Sequence, residues 1–490
     1  MKSVALHNLG CKVNAYEMDV MQHMLQEKGY TIVPFDEVAD IYIINTCTVT
    51  NIADRKSRQM LHQAKARNPK AVVVAVGCYV QTGGEEALKD ASVDLAVGNN
   101  RKKELVQILE AFLQERETAE AQKVMEAQAA ETVNAQKVSE AEMSRCSLKT
   151  MHDTSVIDIN AGCDYEEMTL KQTAEHTRAY IKIQDGCNQF CSYCIIPYAR
   201  GRVRSRRWED IRDELLGLAE AGYKEVVLTG IHISSYGIDF DDEAWNRGES
   251  IISKRETGQR DYAKSSKLLD LIERIQDIKG IERIRLGSLE PRIITKEAAE
   301  RLAAVPKVCP HFHLSLQSGC DETLKRMNRH YTTGEYLEGV EQLRRVYGHP
   351  AITTDIIVGF PGETEEEFEQ TAAFLEKIQL YEMHIFKYSK RKGTKAALMP
   401  GQVPGSKQTE RSGRLLALER EQSKAFRSAY IGKEEEVLFE DAKEIGGKRY
   451  QIGHAREYVR VAKQTNEDLS NRMLTGRITG FLNDELLLME

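Results

Sequence analysis

A chain of 490 residues with 41% hydrophobic side chains is long enough for roughly three domains with ordinary buried cores. A formal net charge of −7 argues against bulk nucleic-acid binding, and ten cysteines without a secretion signal argue against a disulfide framework and towards metal or redox use. The opening MKSVALHNLGCKVN lacks a long apolar segment and the apolar run AVVVAV at 71–76 is only strand-length, so no membrane span and a cytoplasmic location are expected.

The first hundred residues alternate short apolar runs with helical patterns. VAL at 4–6, DIYIINT at 40–46 and AVVVAVG at 71–77 read as strands, with helices near 16–28, 50–67 and 84–90 between and after them. This βαβ rhythm predicts a Rossmann-like parallel sheet domain over 1–113. Cys11 lies in the loop after the first strand, and Cys47 and Cys78 directly follow the next two. In an open α/β sheet such loops share one edge, so three distant cysteines are expected to converge there.

From 114 to 172 the composition shifts to Ala, Glu, Gln, Thr and Ser, and ETAEAQKVMEAQ at 117–128 nearly repeats as ETVNAQKVSEAE at 131–142. The stretch reads as a low-complexity linker insert, with a solvated helix or short coiled coil as its only regular option. A second α/β series spans 173–405, with strands at YIKI, EVVLTG, IERIRLG, FHLSLQSG, TTDIIVGF and MHIFKYS. About six βα units predict an incomplete barrel, a partial (βα)6 arrangement with its working loops at the C-terminal strand ends. Thr364 and Glu367 have the spacing of a capping box, and the charged stretch 240–266 reads as a surface loop. A helical connection over 406–425 leads to short strands without intervening helices over 426–490, the pattern of a small OB-like β-barrel.

DGCNQFCSYC at 185–194 sets three thiols in a C-x-x-x-C-x-x-C pattern with no fourth ligand nearby. Structural zinc wants four ligands, usually as two separated pairs. A four-iron, four-sulfur cube held by three thiolates keeps one iron open to chelate S-adenosylmethionine and split its sulfonium bond. Zinc and unrelated core thiols remain the alternatives. Immediately downstream, RGRVRSRR at 200–207 packs five arginines into eight residues without an acid, a local charge suited to phosphate contact or to pairing with carboxylates.

DGCNQFCSYCIIPYARG resembles the radical S-adenosylmethionine signature, and its neighbours resemble one family within that class. GCKVN, INTCTVT and VGCYVQ are similar to the N-terminal domain of the methylthiotransferases. LTGIHISSYGID, RLGSLEP, HLSLQSGCDETLKRMNRHYT, TDIIVGFPGETEEEF and FKYSKRKGTKA are similar to their radical core, and the final barrel to the RNA-binding TRAM module. The likeness covers most of the chain outside 114–172 and 240–266. It implies two [4Fe–4S] clusters, one on Cys187, Cys191 and Cys194 for radical formation and one on Cys11, Cys47 and Cys78 for sulfur delivery. Taken singly, each of the latter three also reads as a small buried hydrophobe. Cys146, Cys163, Cys309 and Cys320 receive no role.

The resemblance further implies S-adenosylmethionine as both radical source and methyl donor, with Tyr193, Gly230, Glu290 and Gln317 around it. Each of these four reads equally well as a turn or buried polar residue. It implies tRNA as substrate, an electron donor such as flavodoxin or ferredoxin, and a sulfur source. Arg200, Arg202, Arg204, Arg206 and Arg207 are the candidate RNA contacts, with Arg460, Lys463 and Arg477 in the barrel as weaker ones. GCKVN and TGIHISSYGID most resemble the branch acting on N6-threonylcarbamoyladenosine beside the anticodon. The isopentenyladenosine branch and, further off, the ribosomal-protein branch are the competitors. A different class of reading, a non-catalytic RNA-binding protein stabilised by metal, would be marked by zinc in place of iron.

Overall fold

The computed structural model describes residues 1–83, 87, 89–133, 153–170, 177–251 and 266–490. The chain divides into two compact units, Met1–Met168 with Tyr198–Arg200, and Thr169–Pro197 with Gly201–Glu490. Among the described residues no helix is long and apolar enough to cross a membrane.

The first unit is built on six parallel strands: β1 (Ser3–Asn8), β2 (Thr31–Val33), β3 (Ile41–Thr46), β4 (Val72–Gly77), β5 (Leu95–Val97) and β6 (Asp153–Ser155), in the order β2-β1-β3-β4-β5-β6. β3 and β4 are buried along their whole length, which their unbroken apolar runs permit because helices cover both faces of such sheets. The helix Asn51–Arg67 starts where the Thr50 side chain accepts the Ala53 N–H, satisfying one of its free donors. Because β1, β3 and β4 are neighbours, the loops carrying Cys11, Cys47 and Cys78 leave one edge side by side.

Parts of the 114–172 stretch also belong to this unit. The first copy of the near-repeat continues the helix Leu105–Val133, β6 pairs with β5 in the register Leu95↔Asp153, and Ile159 and Met168 are buried. Cys163 is half-buried, and Cys146 lies outside the described residues.

In the second unit, β7 (Ala179–Asp185), β9 (Glu225–Gly230) and β10 (Arg283–Leu286) run parallel, with the short β8 (Arg204–Ser205) antiparallel to β7. β11 (His311–His313), β12 (Ala351–Val358) and β13 (Glu382–Lys387) form a second parallel set, tied to the first by the bridges Ile284↔Val308 and Leu289↔Leu314. These are the six βα units expected of a partial barrel. Thr364 and Glu367 make the capping box read from the sequence, and Thr332 with Glu335 makes another. The stretch from 240 is corrected: Phe240 and Trp245 are buried and stacked, with the Trp245 indole N–H donating to Asp270, so large aromatics draw this charged segment inward as far as residue 251. Residues 252–265 lie outside the described set.

The helix Gly405–Ser428 leads into a closed barrel of β14 (Glu434–Ile445), β15 (Lys448–His454), β16 (Arg460–Gln464), β17 (Met473–Phe481) and β18 (Leu487–Met489). The barrel meets the rest of the second unit at β9 and β10, on the side away from Gly230 and Glu290. There Arg285 makes a two-pronged pair with buried Glu225 at 2.7 and 3.2 Å, and donates to the Arg456 carbonyl of the barrel at 3.0 Å. Arg283 donates to the carbonyls of His454 and Glu436, and Tyr458 lies against both the Arg178 and Arg285 guanidiniums. Burial raises the Glu225 pKa, but Arg285, then Arg178 and Arg283, outweigh it and hold the carboxyl at about 2. Since the folded value lies below the unfolded one, the resulting stability is present above about pH 4.5 and drains away as pH falls towards 2. Glu225→Gln is expected to lower the stability of this unit by about 3 kcal/mol at pH 7, leaving buried arginines short of charge, and to flatten the acid limb of a calorimetric pH series.

Candidate functional site

The first trio sits on the edge of the N-terminal sheet. Gly10 adopts φ +107°, and a Cβ there would lie 3.0 Å from Cys47 Cβ and 3.1 Å from its sulfur, so only glycine lets the Cys11 loop approach Cys47. Cys47 is held by a mutual pair of bonds with Ser57: its N–H donates to the hydroxyl at 3.2 Å, and the hydroxyl donates to its carbonyl at 3.1 Å. Cys78 opens the helix Cys78–Gly83. Burial pushes the Cys47 thiol up to about 11 and the Cys11 thiol above its usual range, although Cys11 keeps exposed surface. Cys78 adds to the rise at both, and Cys11 to that at Cys47, while Arg200 opposes it.

A buried cation serves this trio. Arg200, fully buried, directs Nε to Cys78 Sγ at 3.3 Å, Nη1 to Glu17 Oε1 at 2.5 Å, and Nη2 to Asn14 Oδ1 at 2.6 Å. Glu17 is also paired with Lys102, and the Asn99 amide lies 3.5 Å from the same sulfur. Asn14 ties the two neighbouring loops together by donating to the carbonyls of Leu9 and Thr46.

The second trio occupies the loop after β7. Gly186 has φ +74°, and a Cβ there would fall 1.8 Å from the Arg202 carbonyl oxygen, so the Cys187 loop closes onto 201–202 only with glycine in place. Cys187 N–H donates to the Gly201 carbonyl at 3.0 Å and Cys194 N–H to that of Cys191 at 3.0 Å. The turn after the helix Asp321–Arg326 pins the loop: Ser192 donates its N–H to the Met327 carbonyl and its hydroxyl to that of Arg326, and the Asn328 amide donates to the Phe190 carbonyl. Arg329 is the cation here, with Nη1 3.3 Å from Cys191 Sγ, Nη2 3.3 Å from the Ser315 carbonyl and Nε 3.0 Å from the Tyr331 hydroxyl. Burial, then the charge of Cys191, pushes the Cys187 thiol up to about 12, and the same causes raise Cys194 further.

Three thiolates this close ionise together only if positive charge joins them, which a bound metal cluster would supply. Among the described residues neither trio belongs to a group of His, Cys, Asp and Glu ligand atoms lying within 4.8 Å of one another. Structural zinc wants four protein ligands, whereas each set offers three cysteines, which fits an iron–sulfur cluster with one iron left open.

The expected cofactor residues take up distinct positions. Tyr193 packs edge-on to Phe360 at 6.3 Å and borders Met327 and Tyr388. Gly230 ends β9, where a Cβ would meet the Gln184 carbonyl oxygen at 2.8 Å. Glu290 caps the turn Pro291–Ile293 by accepting the Arg292 N–H, and its charge reaches both Cys187 and Arg329. Gln317 is held at φ +70° in a bridge to Ile356. His232, in the same motif as Gly230, was not singled out by sequence; burial lowers its pKa to about 3, so its imidazole is neutral. Arg329 was missed too, although it lies inside HLSLQSGCDETLKRMNRHYT.

The arginine run is not a uniform phosphate strip. Arg200 and Arg206 are corrected as RNA contacts: both are fully buried, Arg200 against Glu17 and Arg206 against Glu214. Arg204 is buried 3.8 Å from Asp185, which likewise withdraws it from solvent. Arg202 and Arg207 are exposed, the first over the Phe190 ring at 4.5 Å and the second beside Asp210. Arg206→Ala is expected to cost about 3–5 kcal/mol in denaturant unfolding by leaving the buried Glu214 carboxylate without its cation, Arg200→Ala less because Lys102 still pairs with Glu17, and Arg207→Ala to stay within about 0.5 kcal/mol.

A family model described as "Radical SAM superfamily" matches residues 181–375, and one described as "Uncharacterized protein family UPF0004" matches residues 3–98. The threonylcarbamoyladenosine tRNA methylthiotransferase MtaB of Bacillus subtilis is 36% identical over 480 residues, covering 98% of this chain and 94% of that protein. A tRNA-2-methylthio-N(6)-dimethylallyladenosine synthase of Moorella thermoacetica is 32% identical over 484 residues, covering 98% and 96%. Among solved structures, the radical S-adenosylmethionine methyltransferase TsrM of Kitasatospora setae aligns with a TM-score of 0.50 at 16% identity over 79% of this chain and 72% of that one, a likeness of fold alone. With its paired cysteine trios and near full-length relatives, the chain belongs to the radical S-adenosylmethionine methylthiotransferase family.

Proposed function

We propose that this enzyme converts N6-threonylcarbamoyladenosine next to the tRNA anticodon into its 2-methylthio derivative. The observation that carries the reading is the pair of separate cysteine trios, each with an arginine N–H 3.3 Å from one sulfur. Identity to the Bacillus subtilis relative, 36% against 32% for the dimethylallyl one, supports the threonylcarbamoyl branch.

Cys11, Cys47 and Cys78 would hold one [4Fe–4S] cluster, and Cys187, Cys191 and Cys194 a second beside S-adenosylmethionine. When bound, these groups supply one-electron cleavage of S-adenosylmethionine to a carbon radical, a sulfur for the adenine C2 position, and a methyl group from a second S-adenosylmethionine. An aromatic C–H offers no useful acidity, which is why none of the side chains here is asked to act as its base.

The chain's own residues bind and position. Arg200 and Arg329 offset the charge of Cys78 and Cys191. Tyr193 and Gln317 border the cofactor, Gly230 leaves backbone room for it, and the Glu290 carboxylate suits its ammonium group. Arg202 and Arg207 meet phosphates, with Arg460, Lys463 and Arg477 of the barrel extending that contact. A flavodoxin- or ferredoxin-like protein delivers the electrons, and a separate sulfur source restores the delivered atom.

Mass spectrometry of tRNA nucleosides from cells with and without the gene tests the substrate. The 2-methylthio form of threonylcarbamoyladenosine is expected to vanish and its unthiolated precursor to accumulate, and complementation with Cys47→Ala or Cys191→Ala is expected not to restore it. Loss of the methylthio-isopentenyl nucleoside instead would move the enzyme to the other branch, and an unchanged nucleoside pool would remove tRNA as substrate.

A further inference from the structure

Three adjacent strands of the second unit bring together His313 on β11, Asp355 on β12 and His384 on β13, residues that take no part in the chemistry above. Their ligand atoms lie within 4.8 Å of one another, and His313 Nε2 is 3.3 Å from Asp355 Oδ2. The sheet register sets this row. Thr353 is paired with His313 and Asp355 with His384, and residues two apart on β12 share a face. Ile357, next on that face, packs against the cluster of Tyr193, Phe360 and Tyr388, so the row opens on the side of the sheet that carries the second cysteine trio.

The hydrogen bonding prepares the row for a cation. His313 Nδ1 lies 2.9 Å from the Thr353 hydroxyl. When Nδ1–H donates there, the Nε2 lone pair faces the Asp355 carboxylate 3.3 Å away, a separation that two ligands of one tetrahedral ion adopt. A partner that fixes the tautomer in this way is the usual support of a metal-ligating histidine. Two imidazoles and one carboxylate from neighbouring strands form a donor set that suits zinc and similar divalent ions and leaves coordination positions open. The third ligand, His384, is exposed on the edge strand, its ring stacked on that of His313 with centroids 5.7 Å apart.

We propose that His313, Asp355 and His384 bind one divalent transition-metal ion, of the zinc class, independently of the iron–sulfur clusters. Its open positions face the sheet side shared with Tyr193, where a further oxygen or nitrogen ligand completes the coordination.

The test is a zinc titration of anaerobically reconstituted holoenzyme after a chelator wash, with bound zinc and iron read by elemental analysis. Wild type is expected to take up one zinc per chain. His384→Ala, a change at an exposed position, is expected to lose that zinc with its iron unchanged. Thr353→Val, which removes only the tautomer-fixing bond, is expected to weaken zinc uptake at least about tenfold. Wild type taking up no zinc, or both variants taking it up as wild type does, would overturn the assignment.

Discussion

Three sulfur anions cannot share a buried loop edge without positive charge among them. That constraint applies to both cysteine trios. Burial pushes the thiols of Cys11, Cys47, Cys187 and Cys194 upward, to about 11 for Cys47 and about 12 for Cys187, so binding a metal cluster there would have to displace their protons. Under the proposed assignment iron would provide most of the compensating charge. The protein contributes a smaller fixed share through Arg200 at Cys78 and Arg329 at Cys191.

Each trio is assembled by a different device. In the first unit the parallel order of β1, β3 and β4 delivers three loops to one edge, and Gly10 removes the Cβ that would keep the Cys11 and Cys47 loops apart. In the second unit one loop carries all three cysteines, and Gly186 together with the turn at 326–328 holds it in shape. The barrel of β14–β18 is anchored at the opposite strand ends through Arg283, Arg285 and Glu225. The anchoring charges and the reactive loops therefore use different ends of the same strands.

Much of this was legible in the sequence because its signals are local. A strand followed by a cysteine, a Thr-x-x-Glu cap, or three thiols within eight residues needs no knowledge of the fold. The arginine run shows where local reading stops. Arg200 and Arg206 look alike and stand six residues apart, yet the carboxylate that buries Arg200 is Glu17, separated by 183 positions. Arg329 finds Cys191 across 138 residues. Periodicity carries no trace of such pairings, and composition counted these cations as surface charge. The interruption after residue 240 misled for the related reason that two aromatics outweigh many neighbouring charges once a core is available to them.

The central claim is that each trio carries its own iron cluster with one iron left open to an outside ligand. Iron analysis with Mössbauer spectroscopy on anaerobically reconstituted protein tests it most directly, comparing the wild type with a variant in which Cys11, Cys47 and Cys78 are all alanine. About eight irons per chain are expected for the wild type and about four for the variant, each cluster showing one site without a cysteine ligand. An iron content unchanged by the three substitutions, or spectra in which every iron already has a protein ligand, would contradict the account.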